Sequence, residues 1–154
     1  MDKAWKVVAG AAILALATPA AGQTVKPGLW EYSGTMLNVD MPDASPAMTQ
    51  ALSGRTTSVK SCLTPQQAKS GPRVLFDQSG GKCAFSKFAM AKGKIDTTMS
   101  CKGSGGPTGD STITTTGSYT ETSYLTKSTI VSTTSGGKLT MVSEGRGKWL
   151  GPCK

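Results

Sequence analysis

The sequence predicts a mainly all-β domain, an antiparallel meander of about seven strands that forms a curved sheet or a partly open barrel. Serine and threonine fill 15 of the 24 positions from 111 to 134, and threonine favours strands because its branched Cβ fits a pleated surface. Apolar residues interleave with them, which argues against a disordered polar tract. Short turns separate the apolar runs elsewhere, and many strands with short connections are typical of an antiparallel sheet.

The start of the chain has the pattern of an export signal. Lys3 and Lys6 precede an apolar run that reaches Ala17, and small residues follow it. This pattern predicts a secretory signal peptide at residues 1–22 and a single β domain at residues 23–154, located in the bacterial periplasm or outside the cell. The apolar run is too short for a comfortable membrane span, so we expect no transmembrane segment after cleavage.

Two strands and one short helix are predicted in the first half of the domain. One strand runs from Gly28 to Leu37 and another from Arg55 to Cys62, with a polar, proline-containing loop between them. The one short helix is predicted near 64–70, because Thr64 is a good N-cap and Pro65 suits the first helical position.

The segment from 83 to 101 predicts a hairpin that folds back at Ala91-Lys92-Gly93, where the glycine supplies the positive φ of a three-residue turn. Directly opposed residues then pair as Cys83–Cys101, Phe85–Met99, Lys87–Thr97 and Ala89–Ile95. Apart from the polar third pair, these residues form an apolar core face. Opposed cysteines are close enough for a disulfide, so we pair Cys83 with Cys101 and Cys62 with Cys153. Four cysteines allow three pairings, and their spacing alone does not decide between them.

The remaining strands are predicted from their turns. Gly117-Ser118 is interpreted as a two-residue turn between strands at 111–116 and 119–126. Gly136-Gly137 is interpreted as another turn. A last strand follows it, with Leu139, Met141 and Ser143 on one face.

The composition excludes several kinds of chemistry. The chain has no histidine, which excludes Ser–His and Cys–His triads and histidine-ligated metal centres. The four cysteines have long gaps between them and no Cys-x-x-Cys pair, so we expect two structural disulfides, no metal site and no cofactor. We therefore predict that the protein is not an enzyme. A carboxylate-based enzyme is left as an alternative.

Charge and shape suggest two kinds of partner. A curved sheet can offer a concavity for a lipid or another small apolar ligand. The candidate lining residues are Trp30, Phe85, Phe88, Met99 and Leu125, although ordinary core packing explains all five better. Alternatively, the formal net charge of +8 suits a basic envelope interaction module that contacts an anionic surface or a protein partner. The lysines are scattered without interleaved aromatic residues, so no nucleic-acid role is expected. We expect a monomer.

Four motifs occur in a characteristic order along the domain. Pro27-Gly28-Leu29-Trp30-Glu31 comes first, Cys62-Leu63-Thr64-Pro65 follows, Cys83 and Cys101 flank the hairpin, and the segment from Gly145 to Cys153 reads GRGKWLGPC. This ordered set resembles the DUF3617 family of small exported bacterial proteins. The resemblance implies a periplasmic or secreted domain of unknown function and carries over no catalytic residues.

Overall fold

The computed structural model describes residues 25–69, 73, 82–103, 108–134 and 136–154, and within them it contains seven strands and two short helices. The predicted signal peptide at 1–22 lies outside the described residues. The strands are β1 Gly28–Asp40, β2 Thr56–Leu63, β3 Cys83–Ala91, β4 Lys94–Cys101, β5 Thr108–Tyr119, β6 Ser123–Thr134 and β7 Gly137–Gly151. The helices are α1 Pro46–Leu52 and α2 Pro65–Lys69.

All seven strands form one antiparallel sheet in the order β2-β1-β7-β6-β5-β4-β3. Strands β3 to β7 are a meander, and the β1–β2 hairpin joins it through pairing of β1 with β7. The sheet is open, with β2 and β3 at its two edges. The predicted mainly all-β fold, an antiparallel sheet of about seven strands that forms a curved sheet or a partly open barrel, is therefore confirmed, and the sheet is not closed.

One core cluster shows that the sheet curls. It unites Trp30 of β1, Leu63 of β2, Ile95 of β4 and Tyr119 of β5 with Ala68 of α2. In the sheet order, β7 and β6 separate the β1–β2 pair from the β5–β4 pair, so these side chains meet only if the sheet bends around them. Trp30 has no exposed surface at all, and its indole Nε1 donates to the Lys26 carbonyl oxygen at 2.9 Å.

Helix α2 forms where the sequence predicts it. Thr64 and Gln67 make a reciprocal capping box: the Gln67 backbone N–H donates to Thr64 Oγ1 at 3.2 Å, and the Thr64 backbone N–H donates to Gln67 Oε1 at 2.9 Å. Pro65 opens the helix, and Ala68 buries its side chain in the core. The helix therefore closes one end of the curled sheet.

Helix α1 lies in the segment that the sequence analysis assigned to a polar loop, so that assignment is wrong. Ser45 is its N-cap and accepts a hydrogen bond from the Met48 backbone N–H at 3.3 Å, while Pro46 occupies the first turn. Proline in the first turn is typical of a helix start, because a backbone N–H there would have no acceptor within the helix and because the φ of proline is already helical. The sequence analysis predicted a loop because the segment contains prolines, but Pro46 lies in the first turn of the helix.

The β3–β4 hairpin contains a bulge that the sequence analysis did not predict. The predicted register holds for Cys83–Cys101 and Phe85–Met99, and then shifts at Ser86, so that Lys87 pairs with Thr98. The predicted pairs Lys87–Thr97 and Ala89–Ile95 are therefore wrong; the structure instead pairs Phe88 with Thr97 and Met90 with Ile95. A bulge inserts one residue on one strand, and here it moves a lysine off the core face and replaces it with phenylalanine.

The turns differ from the prediction in three places. The β3–β4 turn has two residues, Lys92 and Gly93, with φ of 49° and 73°, which is the type I′ geometry that fits a twisted hairpin. Gly117 and Ser118 lie inside β5, and the chain turns at 120–122 instead. A Cβ at Gly117 would come within 2.8 Å of the Thr126 Cα, so this glycine serves close strand packing. Gly137 already begins β7, paired with Thr134.

Both disulfides join the predicted pairs. Cys83 and Cys101 face each other across β3 and β4, with their Cα atoms 4.0 Å apart. Cys62, near the end of β2, is bonded to Cys153, just after β7, with a Cα separation of 5.8 Å. No cysteine is free. One bridge therefore fixes the edge hairpin, and the other ties the opposite edge strand to the end of the domain.

Candidate functional site

The two faces of the sheet differ in composition. We call the face that carries Trp30, Ile95 and Tyr119 the inner face and the opposite one the outer face. Because side chains alternate along a strand, the cross-strand register assigns every other residue to one of them. The inner face holds the aromatic residues and most of the aliphatic ones, whereas the outer face holds the lysines and arginines of β2 to β7.

A continuous row of apolar side chains crosses the inner face of six neighbouring strands. Each member is directly opposite the next in the register. We call this row the apolar ladder: Val39 of β1, Met141 of β7, Ile130 of β6, Ile113 of β5, Met99 of β4 and Phe85 of β3. Five intervals between strands give it a length of about 24 Å. Val39 is buried, and the other five side chains are partly buried, each keeping part of its surface in contact with solvent.

A row of hydroxyl groups runs beside the ladder, two residues along each strand. It consists of Ser143, Ser128, Thr115 and Thr97, which are again directly opposed in the register. The hydroxyls of Thr115 and Ser128 are 2.7 Å apart and hydrogen-bonded. Thr115 and Thr97 are buried, so the row packs into the sheet surface and flanks the ladder with a polar strip.

Beyond the hydroxyl row stands a wall of aromatic side chains. Trp30 stacks on Tyr32 with ring centroids 6.2 Å apart, and Tyr32 lies 6.3 Å from Tyr124. Gly147 lets the Tyr124 ring lie close against β7, because any Cβ there would overlap the ring. Burial and the neighbouring Tyr32 raise the pKa of Tyr124 to about 12, and burial also raises the pKa of Tyr32. Both phenols are therefore neutral at physiological pH.

One end of the apolar ladder opens into a cleft beneath α1. The cleft has a volume of about 280 Å³, and its apolar lining comes from three elements: Met36 and Val39 of β1, Leu52 at the end of α1, and Met141 of β7. Gly34 leaves room in its floor, because it presents no side chain. Arg55 also lines the cleft and is exposed to solvent, so a cation stands at its mouth.

The other end of the ladder carries a second arginine. Phe85 and Phe88 meet edge to face with ring centroids 5.1 Å apart. The Arg73 guanidinium lies 5.0 Å from the Phe85 ring centroid and 5.7 Å from that of Phe88, which is within cation–π distance. The apolar ladder thus has an arginine at each end.

The structure separates the five side chains that the sequence analysis suggested as a lining. Phe85, Phe88 and Met99 lie together at the β3 end of the inner face. Trp30 is fully buried in the core, and Leu125 is 44% exposed on the outer face; neither belongs to the ladder. Sequence reasoning missed the ladder members on β1, β5, β6 and β7, and the only local signal for them was an apolar residue at alternating positions in the Ser/Thr-rich strands.

We also searched the described residues for a metal site. They contain no group of three or more cysteine, aspartate or glutamate side chains placed to hold a metal ion. Among them, no helix is long and apolar enough to cross a membrane.

Comparison with known proteins gives one finding. A family model described as "Protein of unknown function (DUF3617)" matches residues 25–153. No curated protein and no solved structure matches the chain significantly.

Proposed function

We propose a function for this chain, which belongs to the DUF3617 family of proteins of unknown function. It is an exported domain, either periplasmic or secreted. It binds a lipid or a similar amphiphile and does not catalyse a reaction. In this proposal the acyl chain lies along the apolar ladder, with one end in the cleft beneath α1. The ligand is held by burial of apolar surface, and its polar end lies near an arginine.

The observation that carries this proposal is the apolar ladder, a continuous row in which five of the six side chains are only partly buried. Domains of this size normally cover such a row with other side chains, because each methylene group that is removed from water contributes about 0.8 kcal/mol. Here six opposed strands present the row over about 24 Å, which is comparable to the length of a long acyl chain. A bound hydrocarbon chain would supply the missing cover.

The polar groups around the ladder indicate the chemistry of the rest of the ligand. Arg55 at the mouth of the cleft and Arg73 above Phe85 suit a carboxylate or phosphate, because guanidinium groups bind both with paired hydrogen bonds. Ser143, the member of the hydroxyl row that lines the cleft, suits an ester or hydroxyl oxygen. An anionic amphiphile therefore fits better than a pure hydrocarbon.

The described carboxylates support a non-catalytic role. Of the seven side-chain carboxylates among the described residues, Glu31, Asp96, Asp110 and Glu144 each form an ion pair with a lysine or arginine. The other three, Asp40, Asp43 and Glu121, are exposed to solvent. The hydrogen bond from Lys102 holds the pKa of Asp110 below its usual range, which keeps this group ionised rather than poised to donate a proton. A general acid needs the opposite shift.

The test uses two neighbouring residues of β6 that point to opposite faces. Ile130 belongs to the ladder, and Val131 lies beside it on the outer face; both are half-exposed. Binding of a fluorescent fatty acid to the full domain is measured for Ile130→Ser and for the matched control Val131→Ser. We expect the first variant to weaken binding at least tenfold and the second to leave it within twofold.

Thermal unfolding of both variants separates a loss of binding from a loss of folding. Equal weakening by the two variants, or no binding of the probe by the wild-type domain, would overturn the proposal. Mass spectrometry of the domain purified from its native envelope would then identify the amphiphile that co-purifies with it.

A further inference from the structure

The outer face carries a second feature, which is independent of the apolar ladder. Near the β5–β6 turn, Leu125 of β6 is 44% exposed. In the register it lies between Ser118 of β5 and Arg146 of β7. Because its neighbour Tyr124 faces the inner side, Leu125 points away from the aromatic wall. An exposed leucine alone is ordinary on a protein surface, so its surroundings decide whether it has a role.

Four cations surround this leucine. Arg146 is directly opposite it on β7, Lys127 follows two residues along β6, Lys148 lies opposite Ser123, and Lys94 lies opposite Ser118. We call Leu125 and these four residues the basic patch: Lys94, Leu125, Lys127, Arg146 and Lys148. Lys94, Lys127 and Lys148 form no ion pair with any residue that the structure describes.

The acidic residues near the patch do not neutralise it. Glu144 lies opposite Lys127, but its carboxylate accepts a hydrogen bond from Arg146 at 2.7 Å. Glu31 lies opposite Lys148 and pairs with Lys60 instead, at 3.8 Å. Asp96 on β4 pairs with Lys87. The patch therefore keeps a net charge of three positive units around one exposed aliphatic side chain.

The patch is shallow and wide. Two open hollows of about 640 Å³ and 350 Å³ adjoin each other there, and both include Ser118 and Leu125 in their linings. The larger one continues around this end of the sheet to the inner-face residues Tyr119, Tyr124 and Trp149. The hydroxyl groups of Ser118 and Ser123 lie among the cations, so anionic groups with several oxygens find both charge and hydrogen-bond donors.

From this arrangement we propose that the basic patch docks the domain on an anionic phospholipid surface. Flexible lysines around an exposed leucine suit a fluid layer of phosphate head groups, because the ammonium groups reach the phosphates while the aliphatic side chain enters the boundary with the acyl chains. The tryptophans and tyrosines of the described strands face the inner side, so the outer face around Leu125 carries cations with no aromatic side chains interleaved among them, unlike a nucleic-acid surface. The proposal does not depend on ligand binding by the ladder.

Flotation of the domain with vesicles tests the proposal. The wild-type domain is mixed at low salt with vesicles of equal parts phosphatidylglycerol and phosphatidylcholine, or of phosphatidylcholine alone. We expect binding to the first only, and loss of that binding at high salt. Each lysine near an anionic leaflet contributes about fivefold in affinity, so Lys94→Glu with Lys127→Glu is expected to weaken binding at least 25-fold.

Three further variants make the result specific. Lys82→Glu with Lys138→Glu changes the net charge equally at the opposite end of the strands, next to Cys83 of β3 and opposite Thr133 of β6, and is expected to weaken binding less than fivefold. Leu125→Ser is expected to weaken it severalfold while leaving its salt dependence intact. Ile130→Ser is expected to float like the wild type, which separates this surface from the ladder.

Several outcomes would overturn the proposal: no flotation of the wild type with anionic vesicles, equal binding to zwitterionic vesicles, or equal weakening by the two charge-reversal variants. Retention on an immobilised acidic peptide, combined with no binding to anionic vesicles, would assign the patch to a protein partner instead.

Discussion

Removing the Cys62–Cys153 disulfide by alanine substitution at both positions is expected to destabilise the domain more than removing Cys83–Cys101. A disulfide restricts the unfolded chain, and its effect grows with the length of the loop that it closes. The first bridge spans 91 residues and the second 18. Loop-closure entropy then gives losses in the free energy of unfolding of about 4.6 and about 3.2 kcal/mol at 25 °C.

Urea unfolding followed by tryptophan fluorescence measures both losses, with each double variant keeping the other bridge intact. Because Cys101 is buried and Cys153 is exposed, alanine at position 101 also removes a buried sulfur atom. The same variants compared after reduction of the remaining disulfide isolate that contribution. If the 83–101 variant remained the less stable of the two after this correction, the loop-closure reasoning would be refuted.

Two other predictions concern the aromatic wall. Gly147→Ala places a Cβ inside the Tyr124 ring and is expected to lower the free energy of unfolding by about 1–3 kcal/mol. The control is Gly34→Ala, whose Cβ would meet nothing nearer than 4.0 Å. Equal unfolding midpoints for the two variants would contradict the close packing of Tyr124 against Gly147. The Tyr124 phenol has a pKa of about 12 in the folded domain, whereas a tyrosine in the unfolded chain ionises near pH 10. The contribution of the neutral phenol to the free energy of unfolding is therefore present in full below pH 10 and is lost as the pH rises to about 12. If a Tyr124→Phe variant lost the same amount of stability over this pH range, Tyr124 would be excluded as the cause.

Local chemistry made several elements predictable from the sequence. Thr64 and Pro65 marked the start of α2 because capping depends on residues within one turn. The Cys83–Cys101 pair was predictable because a hairpin relates its strands through a short turn, and the bulge at Ser86 lies on the turn side of both cysteines. The same bulge displaced every predicted pair between itself and the turn.

Residues whose role depends on distant strands were not predictable. Gly117 had the signature of a turn, but its lack of a side chain is needed for the approach of Thr126 on the next strand. The apolar ladder depends on the pairing of β1 with β7, which places Val39 opposite Met141 across about a hundred residues of sequence. Alternation gives the face of each residue within its own strand, and only the register between strands shows that six such residues form one row.

The position of β7 in the sheet has a consequence for how the protein is made. This strand follows the other six along the chain, yet it lies between β1 and β6 and pairs with both. Until β7 is available to pair, no strand joins the β1–β2 hairpin to the β3–β6 meander. The apolar side of the hairpin stays uncovered until then, so the unfolded chain depends on protection from aggregation during that interval.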